Sequence, residues 1–474
     1  MSLTKFVGLL AGSTLTLTGV SYGAAEANND TTAQINQLKA EIASLKAAQG
    51  DQWLTEQRAE QIRGVVQDVL ADSSTRSSFQ GAAATSGYDN GFFLSSADGN
   101  FKLKVNALEQ VRFTWGNGYG ALSIPFFPGN QPTNNKWGFE NRRTQAFFSG
   151  NVVDPSWKYL VGMAFDSQTD PYVTESAYFR LLYAQVTKDM GDGFSVTVGQ
   201  QNAAFTLQSQ LFNAGMTQMG EYSVFEYAFG LGQQVGISAK WEKDMFRATG
   251  GYYNIAYAPG GIFDQSWDNS NNQSVALTGR AEVKMAGSWD QFSKESSFKG
   301  EEFGLVAGAG IFWQNARAQN GRPPYGYHPV GITVDANAKF GGFNAIAQVI
   351  WQDSYAFGAT PEQSTWGFNL QGGAFLTEDL EIFAAWNYNN IGSDPGSSPP
   401  TASNYVQVGG NWYFAKNNMK FTVLATIPVS TTAGDQGSNS TAGGSFGLID
   451  PNEGFGIPTG GSNFGLVVQL QLMF

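Results

Sequence analysis

The side chains that carry out most enzyme chemistry are nearly absent from this chain of 474 residues. It has no cysteine and one histidine, His328, in the stretch "PPYGYHPV". The lack of cysteine excludes thiol catalysis, cysteine-type zinc sites and disulfide frameworks. A Ser-His-Asp hydrolase would need His328 as its base, but the flanking prolines are typical of a turn. We therefore predict no enzyme, no metal and no cofactor, with a hydrolase that uses His328 as the alternative.

The remaining chemistry is that of charge and aromatic surface, and much of it falls in the gap at residues 203–230. This gap contains two glutamates and no lysine or arginine. If the chain encloses a channel, acidic residues here favour cations. The aromatic residues either stack on a carbohydrate or pack this segment against a wall. The candidate residues are Phe205, Phe212, Glu221, Tyr222, Phe225 and Glu226.

Other charged residues recur on the polar face of alternating stretches. The eleven basic ones are Lys102, Lys104, Arg112, Arg143, Lys158, Lys240, Arg247, Arg280, Lys284, Lys339 and Lys420. The six acidic ones are Asp166, Glu242, Glu282, Glu302, Asp335 and Glu381. Eleven against six leaves five positive charges on this face, in a chain whose net charge is −12. The main candidates for lining a wet interior are Lys102, Lys104, Arg112, Arg143, Arg247, Arg280, Lys339 and Asp335.

Three segments precede the alternating region. Residues 1–27 combine a basic residue, an apolar stretch and small residues, which predicts a secretory signal peptide. Residues 31–72 have helical spacing, which predicts either a short coiled coil or an amphipathic helix. The coiled-coil seam would consist of Ile35, Leu38, Ile42 and Leu45. Residues 73–90 are rich in serine, glycine and alanine, which predicts a linker.

Between residues 91 and 474 the period of the apolar residues is two. The final stretch, "FGLVVQLQLMF", is apolar at every second position from Phe464 to Phe474. This period indicates β-strands with one apolar and one polar face. It predicts sixteen strands, at 101–115, 138–153, 157–167, 174–188, 194–202, 231–242, 245–256, 273–286, 300–316, 327–340, 343–356, 363–375, 380–391, 403–414, 419–430 and 463–474.

Short and long connections alternate between these strands, with one exception near residues 287–299. A transmembrane β-barrel has this pattern, since tight turns lie at one end and long loops at the other. A barrel satisfies every backbone group without a sheet edge, so its apolar face can meet lipid and its polar face water. Charged residues make up only 14% of the chain, below the ~25% typical of soluble proteins. We therefore predict an all-β transmembrane barrel of about sixteen antiparallel strands, preceded by a short helical segment.

Several stretches resemble the phosphate-selective porin O/P type of outer-membrane barrel, particularly its planctomycete forms with an N-terminal helical segment. They are "GFFLSSADGNFKLKVNALEQVRF", "FENRRTQAFFSGNVVDPSWKYLVGMAFD", "GDGFSVTVGQ" and "FGLGQQVGI". The resemblance implies a homotrimer, and a loop that folds into the interior after the fifth strand. Such porins tend to have a lysine after the "GQ" of that strand, where this chain has Asn202. This departure argues against phosphate selectivity.

These features predict an outer-membrane porin through which small hydrophilic solutes and ions diffuse passively. Its partners would be outer-membrane lipid, the solutes and two further copies, without nucleic acid, and its helical segment would be periplasmic. A channel specific for phosphate, other anions or carbohydrate remains an alternative, as does an outer-membrane barrel enzyme.

Overall fold

The structure is a computed structural model of the chain. It describes residues 36–41, 43–44, 85–117, 135–165, 179–254, 275–315, 327–356, 363–392, 401–431 and 464–474. The chain divides into two units, Met1–Gly81 and Ala82–Phe474.

In the first unit, residues 36–41 and 43–44 are helical and exposed, within the predicted helical segment. The predicted signal peptide and most of the predicted linker lie outside the described residues. Among the described residues, no helix combines the length and apolar character that a membrane span requires.

The second unit contains eighteen strands among its described residues. They are β1 (Thr85–Tyr88), β2 (Phe92–Ser95), β3 (Lys102–Asn117), β4 (Asn135–Val152), β5 (Asp154–Ala164), β6 (Arg180–Gly191), β7 (Phe194–Asn202), β8 (Gln233–Lys243), β9 (Phe246–Tyr253), β10 (Val275–Ala286), β11 (Phe303–Asn315), β12 (Tyr327–Phe340), β13 (Phe343–Ala356), β14 (Gln363–Phe375), β15 (Leu380–Gly392), β16 (Thr401–Tyr413), β17 (Met419–Thr431) and β18 (Gly465–Met473). One short helix, α1 (Val224–Phe229), lies between β7 and β8.

The sixteen strands β3 to β18 form a closed antiparallel barrel. Each strand pairs with the next along the chain, and β18 pairs back with β3, with Leu470 opposite Val111. The predicted fold and its sixteen strands are therefore confirmed. The short β1–β2 hairpin pairs with the start of β3, with Phe92 opposite Val105. Residues 85–88, predicted as linker, therefore form a strand. The hairpin extends the sheet along the part of β3 that β18 does not reach.

The alternating sequence of each strand separates two environments, as β18 illustrates. Gln469 and Gln471 are buried and hydrogen-bonded to other parts of the interior, whereas Leu470 and Leu472 lie exposed on the outer face. Most positions of the barrel strands follow this scheme because successive side chains point to opposite faces of the sheet. The outer face is therefore apolar and the inner face largely polar.

The connections at one end of the barrel, here called the turn side, are short. The β6–β7 turn is Asp192-Gly193, in which both residues have positive φ angles of 51° and 77°. This is the backbone of a type I′ turn, which matches the twist of a hairpin. The exception is the connection between β10 and β11, residues 287–302, which contains a 3₁₀ turn at Asp290–Ser293. It is the same gap that breaks the alternation in the sequence.

Candidate functional site

The connection between β7 and β8, residues 203–232, lies inside the barrel, and we call it the constriction loop. Its backbone oxygens accept hydrogen bonds from side chains on opposite sides of the barrel. Gln110 on β3 donates to Gly220 O at 3.0 Å, Lys420 on β17 to Thr217 O at 2.6 Å, and Arg280 on β10 to Phe205 O at 2.9 Å. β3 and β17 both flank β18, whereas β10 lies seven strands further along the barrel from β3. Only a segment in the interior can reach both sides.

Local capping explains how this sequence turns inside the barrel. Asn202, at the end of β7, donates to the carbonyl oxygens of Ser209 and Leu211 at 3.2 and 3.3 Å. Asn202 therefore holds the base of the constriction loop, at the position where the resembling porins tend to have lysine. Ser223 caps α1, since its hydroxyl accepts a hydrogen bond from Glu226 N at 3.1 Å. Serine at this position is a preferred helix N-cap.

Glu221, at the middle of the constriction loop, is clamped by three arginines of the wall. Its carboxylate forms ion pairs with Arg142 Nε at 2.7 Å, with Arg112 Nη1 at 3.3 Å, and with Arg143. The hydroxyl of Tyr227 donates to the same carboxylate at 2.5 Å. These positive charges hold the pKa of Glu221 well below its ordinary value, although burial alone would raise it. Glu221 is therefore a buried anchor and not a free charge in the channel.

Arg142 is a member of this clamp that strict alternation misses. Its neighbour Arg143 lies opposite Gln110 on β3, but the next pair along is Asn141 opposite Val111. The register therefore shifts by one residue at a β-bulge, which turns both arginines inward. The only signal in the sequence is the pair of adjacent arginines, and a bulge is not visible in a period of two.

Arg280 belongs to a second buried ion network, on β9, β10 and β12. It contacts both carboxylate oxygens of Asp335, at 2.7 and 2.8 Å, and Glu282 at 3.1 Å. Arg247 pairs with the other oxygen of Glu282 at 2.5 Å. Arg280, Asp335 and Glu282 are buried, and Arg247 is nearly so. These charges neutralise one another beneath the constriction loop.

The remaining candidates for lining the interior fall into two groups. Lys339 is fully buried, and its amine donates to Lys294 O at 2.7 Å and Ser296 O at 2.9 Å. Lys102 and Lys104 lie near the turn-side end of β3 and are partly exposed, and Lys102 is 4.0 Å from Asp89. Of the eight residues predicted to line the interior, the two lysines on β3 are therefore partly exposed, and most of the other six are buried.

Glu226, on α1, has a different environment from Glu221. Its Oε1 accepts a hydrogen bond from Thr206 at 2.9 Å, and its buried Oε2 has no partner among the described residues. Burial raises the pKa of Glu226 to about 7, which the Thr206 hydrogen bond and the charge of Arg280 only partly oppose. The carboxylates of Glu295 and Asp335 add to the increase. Glu226 is thus a titratable group inside the constriction loop.

The aromatic candidates mostly fix the constriction loop to the wall. Phe205 and Phe225 are fully buried, and Phe205 meets Phe312 of β11 edge-on at 4.9 Å. Phe212 is partly exposed but stacks on Tyr183 of β6, with the ring planes 9° apart. Arg143 lies over the ring of Tyr222 at 5.8 Å. Phe205 and Phe225 cannot contact a passing solute because nothing of them is accessible.

Several inward positions of the barrel are apolar, contrary to the polar inner face that alternation predicts. They contact the constriction loop: Met219 and Val224 pack against Phe383, Leu424 and Val467. One side of the interior is therefore filled by packed side chains. The signal in the sequence is an apolar residue on the polar face of a strand, which marks a docking position.

The turn-side half of the inner wall from β5 to β9 is not covered in this way. Its charged side chains are exposed: Lys158 by 57%, Lys240 by 44% and Asp189 by 43%. They form ion pairs, Lys158 with Asp189 at 3.3 Å and Lys240 with Glu242 at 2.9 Å. An aqueous path along this wall would therefore meet balanced charges.

Metal binding has no recognisable site in the described part of the chain. No group of three or more His, Cys, Asp or Glu residues there could hold a metal ion. His328 lies in strand β12, opposite Tyr355, and not in the turn that the prolines suggested. The long strand continues through Pro329 because neighbouring residues keep the ladder intact.

Solved structures similar to this chain include a porin and an outer membrane channel. The anion-selective porin from Comamonas acidovorans has a TM-score of 0.51 at 11% identity, over 78% of this chain and 99% of that chain. For OmpF of Salmonella typhi in complex with daunomycin the values are 0.49 and 12%, over 82% and 100%. For the outer membrane channel DcaP of Acinetobacter baumannii they are 0.48 and 12%, over 78% and 97%. The first similarity supports a shared barrel fold, and identities at this level say nothing about the solute.

No protein-family profile matches the sequence, and no curated protein matches it. The resemblance to the phosphate-selective type therefore rests on the quoted stretches alone.

Proposed function

We propose that this protein is an outer-membrane porin, a passive channel for small hydrophilic solutes and ions. The observation that carries the proposal is a closed sixteen-stranded barrel with an apolar outer face, a polar inner face and a loop folded into its interior. A soluble barrel would bury its apolar face, whereas here Leu470 and Leu472 point outward. Barrels of sixteen to eighteen strands are wide enough for an aqueous channel. Diffusion through them needs no cofactor and no catalytic group.

The proposed path runs between the constriction loop and the wall formed by β5 to β9. Exposed ion pairs on that wall, such as Lys240 with Glu242, support a weakly selective channel. The balance of charges there argues against a dedicated anion channel, because rings of one sign set ion preference. A phosphate-specific channel of the resembling type has less support, since Asn202 is used to anchor the constriction loop.

Recordings in planar bilayers test this proposal. The purified protein should give stepwise conductance that increases with salt concentration, and intact, correctly folded protein without any conductance would refute the channel.

The path is tested by Lys240→Glu in a salt gradient, which should shift the reversal potential towards cations. Lys243→Glu is the matched control, because Lys243 is a partly exposed lysine on the opposite face of the same strand. Equal shifts in both variants, or none in either, would exclude the proposed path.

The protein is further proposed to be a homotrimer, with β3 and β4 at the contact between copies. Glu109 lies opposite Leu472 on β18 and Thr144 on β4, and therefore faces outward. Its carboxylate has no partner among the described residues, and Asn141 is exposed nearby. Charged groups on the lipid face of a barrel are destabilising, so contact with another copy would remove Glu109 from lipid.

Native electrophoresis tests the trimer. Glu109→Leu should leave the barrel folded and increase its lipid compatibility, but weaken a trimer that uses the carboxylate. A wild-type protein that runs as a monomer in mild detergent would contradict the proposal. The signal peptide at 1–27 and the periplasmic location of the helical segment at 31–72 complete the proposed organisation.

A further inference from the structure

The connection between β10 and β11, residues 287–302, folds into the barrel from the turn side, and we call it the buttress segment. The other described turn-side connections have between one and five residues. In the buttress segment, Glu295, Ser296 and Ser297 are almost completely buried. A hairpin needs only two residues to turn, so closing β10 onto β11 does not require this segment.

Three wall residues fix the buttress segment inside the barrel. Lys339 donates to two of its carbonyl oxygens, as described above. Ser296 Oγ is 2.8 Å from the hydroxyl of Tyr413 on β16. The ring of Phe298 lies 5.2 Å from that of Phe375 on β14 and 5.0 Å from that of Tyr413. The segment is thereby held as part of the wall.

Glu295 connects the buttress segment to the constriction loop at two separate points. Its Oε1 accepts a hydrogen bond from Gln208 Nε2 at 2.6 Å, and its Oε2 accepts one from Gln218 N at 2.7 Å. Gln371 of β14 donates to the same Oε2 at 3.0 Å. The backbone adds a fourth contact, from Glu295 N to Met216 O at 3.0 Å.

The choice of residue at position 295 has a physical reason. A buried carboxylate is costly unless its oxygens are hydrogen-bonded, and hydrogen bonds to a charged acceptor are stronger than neutral ones. Glu295 forms no ion pair in the described part of the chain, so amide donors alone satisfy it. Two of these donors belong to the constriction loop, and they would lose their shared acceptor if that loop moved.

We propose that the buttress segment fixes the constriction loop from the turn side, with Glu295 as the positioning residue, and thereby sets the width and steadiness of the channel. This inference rests on the proposed channel function. It assigns a role to the one turn-side connection that the alternating pattern of turns and loops leaves unexplained.

Single-channel recordings of Glu295→Ala test the proposal. We expect the fraction of time spent at conductance levels other than the main one to rise at least about tenfold, because charge-assisted hydrogen bonds to two loop positions are lost. Glu302→Ala is the matched control, since Glu302 is an exposed glutamate of the same segment. The fraction of time that it spends at other conductance levels should equal that of the wild type.

A reversible variant separates positioning from a general loss of structure. The chain has no cysteine, so Met216→Cys with Glu295→Cys introduces a single possible disulfide. The 3.0 Å backbone hydrogen bond places these two Cα atoms no more than about 7 Å apart, near the range that a disulfide spans. The reduced protein should fluctuate like Glu295→Ala, and oxidation should restore steady currents in the same protein.

The outcomes distinguish the two proposals. A wild-type barrel that never conducts refutes the channel itself. A conducting wild type with unchanged currents in Glu295→Ala refutes the positioning role and leaves the channel standing. Identical currents before and after confirmed cross-linking would likewise overturn the role of the buttress segment.

Discussion

Replacing Glu221 with glutamine removes the charge that joins the constriction loop to β3 and β4. In the wild type, three guanidinium groups, those of Arg112, Arg142 and Arg143, meet two carboxylates, those of Glu221 and Glu140. The cluster therefore has one net positive charge, and Glu221→Gln raises this to two. Because the side chains of the clamp other than Glu140 are buried, water cannot replace the lost partner without movement of the loop.

The size of the effect follows from this burial. Removing one member of a buried ion pair costs about 3–5 kcal/mol, since a charge is left without compensation. At 1.4 kcal/mol per factor of ten, the population of the released form of the loop should increase about 100- to 4,000-fold. Phe205 and Phe225 remain buried in the variant, and each contributes about 1.5–3 kcal/mol to docking. We therefore expect transient release of the loop and not permanent loss of its structure.

Two measurements report on release. The constriction loop contains several aromatic residues but no lysine or arginine. Chymotrypsin therefore has cleavage sites in the loop, whereas trypsin has none. Cleavage in detergent should accelerate in Glu221→Gln, because proteolysis follows the population of the open form. Single-channel currents should fluctuate more, and the reversal potential in a salt gradient should shift towards anions.

Glu226→Gln is the control within the same loop. Glu226 has no ion pair in the described structure, and burial raises its pKa to about 7, so a neutral amide resembles its protonated form. At pH 6 this variant should be cleaved no faster than the wild type, because a glutamine cannot ionise in the released loop. If Glu221→Gln is also cleaved slowly and conducts like the wild type, the arginine clamp does not hold the loop.

Two further predictions concern pH and closure of the barrel. Because burial raises the pKa of Glu226 from 4.5 to about 7, the docked loop retains a proton that the released loop gives up. Docking of the loop should therefore weaken by on the order of 3 kcal/mol between pH 4.5 and 7 and stay constant above pH 7. Cleavage by chymotrypsin, corrected for the pH profile of the protease itself, should be faster at pH 8 than at pH 5. In Glu226→Gln the corrected cleavage rate should be independent of pH. Deletion of Phe474 removes two reciprocal backbone hydrogen bonds with Ala107, at 2.9 and 3.2 Å, and an edge-on contact with Phe92. The deletion should lower the free energy of unfolding by about 2–4 kcal/mol. The assay is the temperature at which the electrophoretic mobility changes from that of the folded to that of the unfolded barrel, and this temperature should fall. An unchanged temperature would show that β2 and β18 hold this seam without Phe474.

The sequence by itself determined the barrel. The period of two in β18, with glutamines alternating with leucines, defines two faces of the strand. Repetition of this period over sixteen segments specifies a sheet with one apolar and one polar face. The exceptional connection near 287–299 was also visible, because the other turns on its side are short. Local patterns of this kind depend only on neighbouring residues, so a single sequence is sufficient to recognise them.

Only the tertiary structure decided which charges are available to ions. Arg143 and Arg280 have the inward register that alternation predicts, yet both are buried in ion pairs, and Arg142 joins them through a bulge that no period reveals. Glu221 comes from a loop 78 to 109 residues away along the chain from its arginine partners. Whether a charge meets water or a partner depends on which distant segments fold against it, and a local pattern contains no such information.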